Sequence, residues 1–430
     1  MHMSDLRKSL QSGRGLSVVF FFVITSVTHA CLWDWDTLQM ERRRFPGTLE
    51  MITGKFVRHS PAYYEWRIQD RTKRKRSPGD DPALADDLAV AYSKLGRHAE
   101  GIALLEQVLA AHPDRYETLA NLGTIHMLAG DLKVGKEYVD RAIVINPDAH
   151  FGREKYQSFL AEYFLTKRES PHPAAESPFI IHPKGEFCGF AKFVLEKQGY
   201  TSNPWSPEGS KAAEDLKAEL AAAQKGVLGM MHFANYDSPL LLEALGDLLI
   251  AWPTYEEDAL QLAARAYYRV AQVSEDKATT DEFKRAAAHV LEGHLDYIRY
   301  RRADSTDSDW PQADLEKLSA DLSRELAEAQ ASFNLIAADE RRWISEGVDV
   351  DKAFATKYYD SLESTIEEAK KQLAAERLDV RTGPYQDEIK RGLLLIGAVV
   401  AGFAVVVWGT RFAYRRIRAR FDKQNDHSAE

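Results

Sequence analysis

The chain has 430 residues, 56 lysines and arginines against 65 aspartates and glutamates, and a formal net charge of -9. That balance speaks against a nucleic-acid binder, whose footprint is a basic surface, and the length allows more than one packed unit. Only two cysteines occur, Cys31 and Cys188, which excludes a disulfide framework and leaves at most one bridge between them.

In chain order, the first feature is the apolar run 16–27. It follows Arg7, Lys8 and Arg14 and precedes Thr28, His29 and Ala30. A membrane-spanning helix takes roughly 20 apolar residues and the apolar centre of a signal peptide about 7 to 15. The order basic, apolar, small therefore predicts a signal peptide over 1–30, cleaved after Ala30; a buried core element is the alternative. Cys31 then becomes the first mature residue, the place of a lipidated cysteine, although Thr28 and His29 depart from a lipobox. No Asn-x-Ser/Thr acceptor occurs in the sequence, which suits a bacterial envelope better than a eukaryotic exterior.

Residues 31–80 form an aromatic and basic segment, and Tyr63, Tyr64 and Trp66 in it predict a helix that docks on the next helices of the chain. Thr53 to Phe56 read TGKF, the glycine and lysine of a phosphate loop. Phe56 stands where a hydroxyl is required, and the upstream glycine is missing, so no nucleotide cofactor is expected. The basic run 73–76 reads as a solvated linker, or as a contact for an anionic envelope polymer.

Two stretches then align with each other so that Pro113 falls on Pro147, a period of 34. In that register Leu88-Ala89 matches Leu122-Gly123, Tyr92 matches His126, Gly101 matches Gly135, Leu105 matches Val139 and Val108 matches Ala142. Small residues let the two helices of each unit approach, large ones fill the gap, and each proline ends a helix because it lacks the donor that continues the turn. The pattern resembles a pair of tetratricopeptide repeats (TPR). A degenerate third helix around Tyr156 caps the stack, giving a repeat region over 81–168.

The resemblance implies a peptide-binding concave face lined by the first helix of each unit. Carried onto this sequence, it is formed by Asp86, Val90, Lys94, Asn121, Thr124 and, in the cap, Lys155. Some members of the family clamp a partner's terminal carboxylate. Asn121 suits such a clamp, whereas Asp86 and Val90 depart from its pattern. The bland reading of the repeats is a rigid spacer.

Residues 169–210 are a connector interrupted by proline and glycine. Helical periodicity resumes over 211–304, a second, TPR-like region in which Gly246 and Ala263 permit close contacts. His289, Glu292 and His294 lack the spacing of a metal motif, since residues five apart on a helix diverge by about 140°. No metal site and no catalytic constellation is expected.

Apolar steps of three and four at Leu315, Leu318, Leu322, Leu326, Ala329, Phe333 and Ile336, and again from Phe354 to Leu373, predict a helical hairpin over 311–380. Gly347 and Asp349 supply its turn. The hairpin either holds the repeats off a membrane or packs flat against them. Residues 392–409 carry no charge and approach the length that spans a bilayer, and Arg411, Arg415, Arg416, Arg418, Arg420 and Lys423 follow. The positive-inside rule places this basic tail, 411–430, in the cytoplasm and everything between Cys31 and Arg391 outside. Gly397, Ala398, Ala401 and Gly402 are spaced for a homodimer through the span at 391–410.

The expected fold class is all-α: a TPR helical-repeat solenoid with additional helical pairs, a helical hairpin and one C-terminal transmembrane helix. The arrangement resembles bacterial membrane-anchored TPR proteins. It implies a non-enzymatic, single-pass scaffold that holds a protein or peptide on the periplasmic side of the inner membrane, without a cofactor. The alternative is an envelope enzyme or polymer-binding protein whose site lies outside the repeats, in CLWDWDTL or the connector.

Overall fold

A computed structural model describes residues 46–73, 79–147, 152–176, 187–200, 210–251, 259–301 and 314–360. The chain divides into two units, 1–355 and 356–430, and in the second only the first few residues are described. The described residues are helical and contain no strand, so the fold is all-α. The signal-peptide run, Cys31, the apolar run 392–409 and the basic tail lie outside the described residues. Among those described, no helix is long and apolar enough to cross a membrane.

Two short helices come first, α1 (Thr48–Thr53) and α2 (Pro61–Thr72). Two helix pairs come next, α3 (Pro82–Lys94) with α4 (His98–Ala111), and α5 (Tyr116–Leu128) with α6 (Leu132–Ile145). Their starts, 82 and 116, then 98 and 132, keep one offset of 34 residues. Local chemistry fixes these ends. The Asp81 and Asp131 carboxylates accept the Leu84 and Val134 amides at 3.2 and 3.1 Å, closing the first turns of α3 and α6. Gly96 and Gly130 take left-handed φ of 73° and 92°, which ends α3 and α5 and turns the chain back on itself.

The close approach within each pair is made by matched small residues. A Cβ on Gly101 would lie 2.9 Å from the Ala89 carbonyl, and one on Gly135 would lie 2.7 Å from the Gly123 carbonyl. Ala89 and Gly123, and likewise Gly101 and Gly135, are 34 apart, so both pairs use the same contact. Leu105, Val139 and Ala142 are fully buried beside it.

Helix α7 (Arg153–Thr166) packs on α6, but it does not end the stack in solvent. Its other side is covered by α10 (Ser210–Phe233), and Tyr156, Leu160 and Tyr163 join the largest apolar core. The helix expected as a cap is thus a shared wall between the pairs and the second helical region. Its aromatic residues had another apolar helix to cover them. That region continues through α8 (Pro173–Glu176), α9 (Gly189–Lys197), α11 (Pro239–Ile250), α12 (Ala259–Val273) and α13 (Lys277–Arg301). Cys188, just before α9, is buried and free. His289 Nδ1 donates to the Ala174 carbonyl at 3.0 Å, tying α13 to α8.

The first hairpin arm is α14 (Leu315–Glu346), followed by α15 (Val350–Phe354) and a π-helical turn, Ala355–Asp360. Asp314 caps α14 through the Lys317 amide at 2.8 Å, Gly347 closes it with φ of 68°, and Asp349 caps α15 through the Lys352 amide at 3.1 Å. The second arm beyond Asp360 lies outside the described residues. Helix α14 packs against α1, α2, α12 and α13 instead of standing free. Glu340 is fully buried, accepts the Ser60 amide at 2.9 Å and faces His59 Nδ1 at 2.6 Å. The Arg58 guanidinium lies 4.2 Å from the Phe333 ring centre and 4.7 Å from that of Tyr236.

Candidate functional site

The six residues expected to line a peptide groove divide into a buried set and two lysines bonded to another helix. Asp86 and Asn121 are fully buried, Val90 is 1% exposed and Thr124 3%. Asp86 Oδ2 accepts from Arg115 at 2.6 Å, and its Oδ1 accepts from Thr118 and Asn121 at 3.3 Å each. Burial pushes the Asp86 carboxyl up to about 7 although Arg115 pulls it down. The Thr124 hydroxyl donates to the Ala120 carbonyl and accepts from Gln157 Nε2, at 3.0 Å each. These side chains join α3 to α5 and α5 to α7.

Both lysines face α10. Lys94 Nζ donates to the Phe233 and Ala234 carbonyls at 2.6 and 2.9 Å, satisfying the C-terminal end of that helix. Lys155 Nζ donates to Glu219 Oε1 at 3.0 Å, and the Tyr156 hydroxyl donates to the same oxygen at 2.9 Å. The chain's own helix therefore occupies much of the face that the repeat register assigned to a partner.

Among the described residues, an apolar cleft lies between the second pair and α7 on one side and α10 and α11 on the other. Met127, Leu128 and Leu132 come from the α5–α6 hairpin, Leu160 and Phe164 from α7, Met230 from α10, and Leu240 and Leu241 from α11. Three polar residues, Thr124, Gln157 and Ser238, also line it, and no ionisable side chain does. The Gln157 amide is turned to Thr124 and lies 3.6 Å from Met127 Sδ. Three local features build this wall: the Gly130 turn, an Asn235 side chain accepting the Asp237 amide at 3.0 Å, and Pro239 opening α11.

A second cluster lies deep in the large core. Asp247 Oδ1 accepts from the Tyr267 hydroxyl at 2.6 Å and faces His172 Nε2 at 2.9 Å, and Oδ2 accepts the Phe190 amide at 2.6 Å. Arg168 Nε donates to both Glu243 oxygens at 2.9 and 3.2 Å, while Glu282 Oε1 takes Arg168 Nη2 at 3.3 Å and the His172 amide at 2.6 Å. Burial and the like charge of Asp247 push Glu243 up to about 7. Ligand atoms of His172, Glu243 and Asp247 lie within 4.8 Å of one another, the right scale for a cation. The imidazole argues otherwise: Nδ1 accepts from the Ala174 amide at 3.2 Å, so a neutral ring carries its proton on Nε2, 2.9 Å from Asp247 Oδ1. A metal-bound histidine donates its other ring N–H to an acceptor, and here that place is held by a donor. The cluster is a hydrogen-bonded knot that joins α8, α9, α11, α12 and α13.

Of the site residues expected from sequence, Thr124 lines the cleft and none belongs to the knot. The knot had one readable signal: Glu243 and Asp247 interrupt the apolar run LLEALGDLLI, and an acid on a buried helix needs a partner. The cleft had none, because its walls come from helices about 100 residues apart. A scan against protein-family models and a search of curated proteins find no match to the chain.

Proposed function

We propose that the chain is a membrane-anchored, TPR-type scaffold that holds a protein or peptide partner on the outer side of a bacterial inner membrane, and that the partner docks at the apolar cleft. The cleft carries the reading. Apolar concavities between helices are where small or side-chain ligands bind, and two methionines in the walls give a surface that adjusts to its occupant. The 34-residue offset of the two pairs and their matched glycine contacts support the repeat assignment. The uncharged run 392–409 with its basic tail supports the single C-terminal span, and the basic-apolar-small order of residues 7–30 supports export.

Protease added to intact spheroplasts tests the placement. Cleavage within the helical body with the 411–423 segment protected is the expected outcome; a protected body and a trimmed tail would reverse the topology.

A further inference from the structure

We infer that the cleft recognises an uncharged, apolar side chain from the interior of a partner polypeptide, not the partner's terminal carboxylate. This rests on the scaffold reading and specifies the chemistry of its site.

Charge decides between the two occupants. A carboxylate clamp needs cations that line the site, and no ionisable side chain lines the cleft. Lys94 is held by two main-chain carbonyls, Lys155 by Glu219, and Arg115 by Asp86 at 2.6 Å and Glu117 at 3.2 Å. Asn121, the one residue that suited such a clamp, is fully buried against Asp86. A carboxylate entering the cleft would lose its hydration and meet no positive charge, which opposes entry strongly. An apolar side chain loses nothing there and gains burial against Leu128, Phe164, Met230 and Leu240.

The polar lining points the same way. Gln157 and Thr124 bond to each other at 3.0 Å, and the Thr124 hydroxyl also donates to the Ala120 carbonyl. The floor of the cleft is therefore satisfied when empty of partner polar groups. Met127 and Met230, from helices about 100 residues apart, let it accept leucine, methionine or phenylalanine with similar ease.

The test places a photocrosslinking phenylalanine analogue at position 238, on the rim, in the full-length chain in its native membrane. The crosslinked partner peptide is then mapped. The expected result is attachment at or beside an apolar residue away from the partner's C-terminus. Leu128→Arg lowers the yield by about tenfold, as loss of one buried anchor does, and Lys155→Met leaves it unchanged. Leu128→Ala, with a smaller drop, serves if the arginine variant does not melt like the parent. Attachment through the partner's last residues, or a yield that falls with Lys155→Met and not with the Leu128 variants, overturns the inference and leaves the scaffold reading standing. A chain that melts normally and crosslinks no polypeptide overturns both.

Discussion

The two helix pairs over 82–145 and the second helical region over 173–301 each bury a carboxylate, and they treat it differently. In the pairs, Asp86 meets one short contact, Arg115 at 2.6 Å, and two long ones at 3.3 Å. In the second region, Asp247 is held at 2.6, 2.6 and 2.9 Å by Tyr267, the Phe190 amide and His172, and Gly189 is needed beside it because a Cβ there would collide with the carboxylate. The pairs cohere through backbone approach at glycine, with Asp86 as an added tie. The second region lacks that regular contact and draws five helices onto one polar knot. The same residue type thus supports a repeated interface in one region and organises an irregular one in the other.

The largest expected effect breaks the second half of this contrast. Asp247→Ala leaves a buried histidine without its charge partner and a tyrosine hydroxyl and a main-chain amide without their acceptor, and removing one member of a buried charged network costs about 3–5 kcal/mol. Urea denaturation of the chain should register that loss in full, and a cost below about 1 kcal/mol would mean the knot organises nothing. Gly135→Val attacks the pairs. Its Cβ would meet backbone, the Gly123 carbonyl at 2.7 Å and the Met127 nitrogen at 3.1 Å, so the helices must separate. Overpacking of this kind costs roughly 1–3 kcal/mol, and Gly101→Val should match it because it breaks the equivalent contact.

Both carboxyl sites should make stability depend on pH in the same direction. Asp86 and Glu243 have folded-state values of about 7, above their ordinary 3.8 and 4.5. In the interval between those values the folded chain binds the extra protons, so stability is greatest below about pH 4 and declines as pH rises through about 7. The denaturation midpoint should therefore be lower at pH 7.5 than at pH 4.5, against the background of every other group. Asp86→Asn and Glu243→Gln should each flatten the difference. A midpoint difference that neither substitution alters would place the proton uptake elsewhere.

Much of the fold was legible where the signal is local. The glycine and alanine positions 34 apart predicted the helix pairs, Gly347 and Asp349 predicted the turn after α14, and the stripe Leu318, Leu322, Ala329 and Ile336 predicted its buried face. The site was not legible in the same way. The register put Asp86, Asn121 and Thr124 on one face of α3 and α5, but which helix lies over a face is a long-range matter. The end of α10, some 110 residues from Asn121, covers part of that face, and no periodicity within either segment carries that information. Lys94 shows the difficulty most plainly. Its spacing suited a ligand, while its actual acceptors, two carbonyls 139 and 140 residues away, exist only in the folded chain.

Lys94→Met sharpens the point at moderate size. It keeps the aliphatic stem but removes the donor to the last carbonyls of α10, and hydrogen bonds from a charged group contribute about 1.5–3 kcal/mol when partly buried. If Lys94 were instead held for a partner, the substitution would leave the melting of the isolated chain unchanged and affect only binding. The structure favours the first result, because both acceptors belong to this chain.

The smallest effect separates the helix caps from everything above. Asp81 and Asp131 sit at equivalent ends, before α3 and α6, and each accepts one amide at 3.2 and 3.1 Å. Alanine at either position should cost about 1 kcal/mol, the usual loss of an N-cap. The two costs should differ in one respect. Asp81 precedes Pro82, whose ring presets the helical φ at the first position, while Asp131 precedes Leu132, which does not. Asp131→Ala should therefore be the more damaging of the pair by a few tenths of a kcal/mol, measurable in matched urea titrations. Equal losses would mean that the proline adds nothing once the carboxylate is gone, and that the first turn of α3 is held by its packing on α2 and α4.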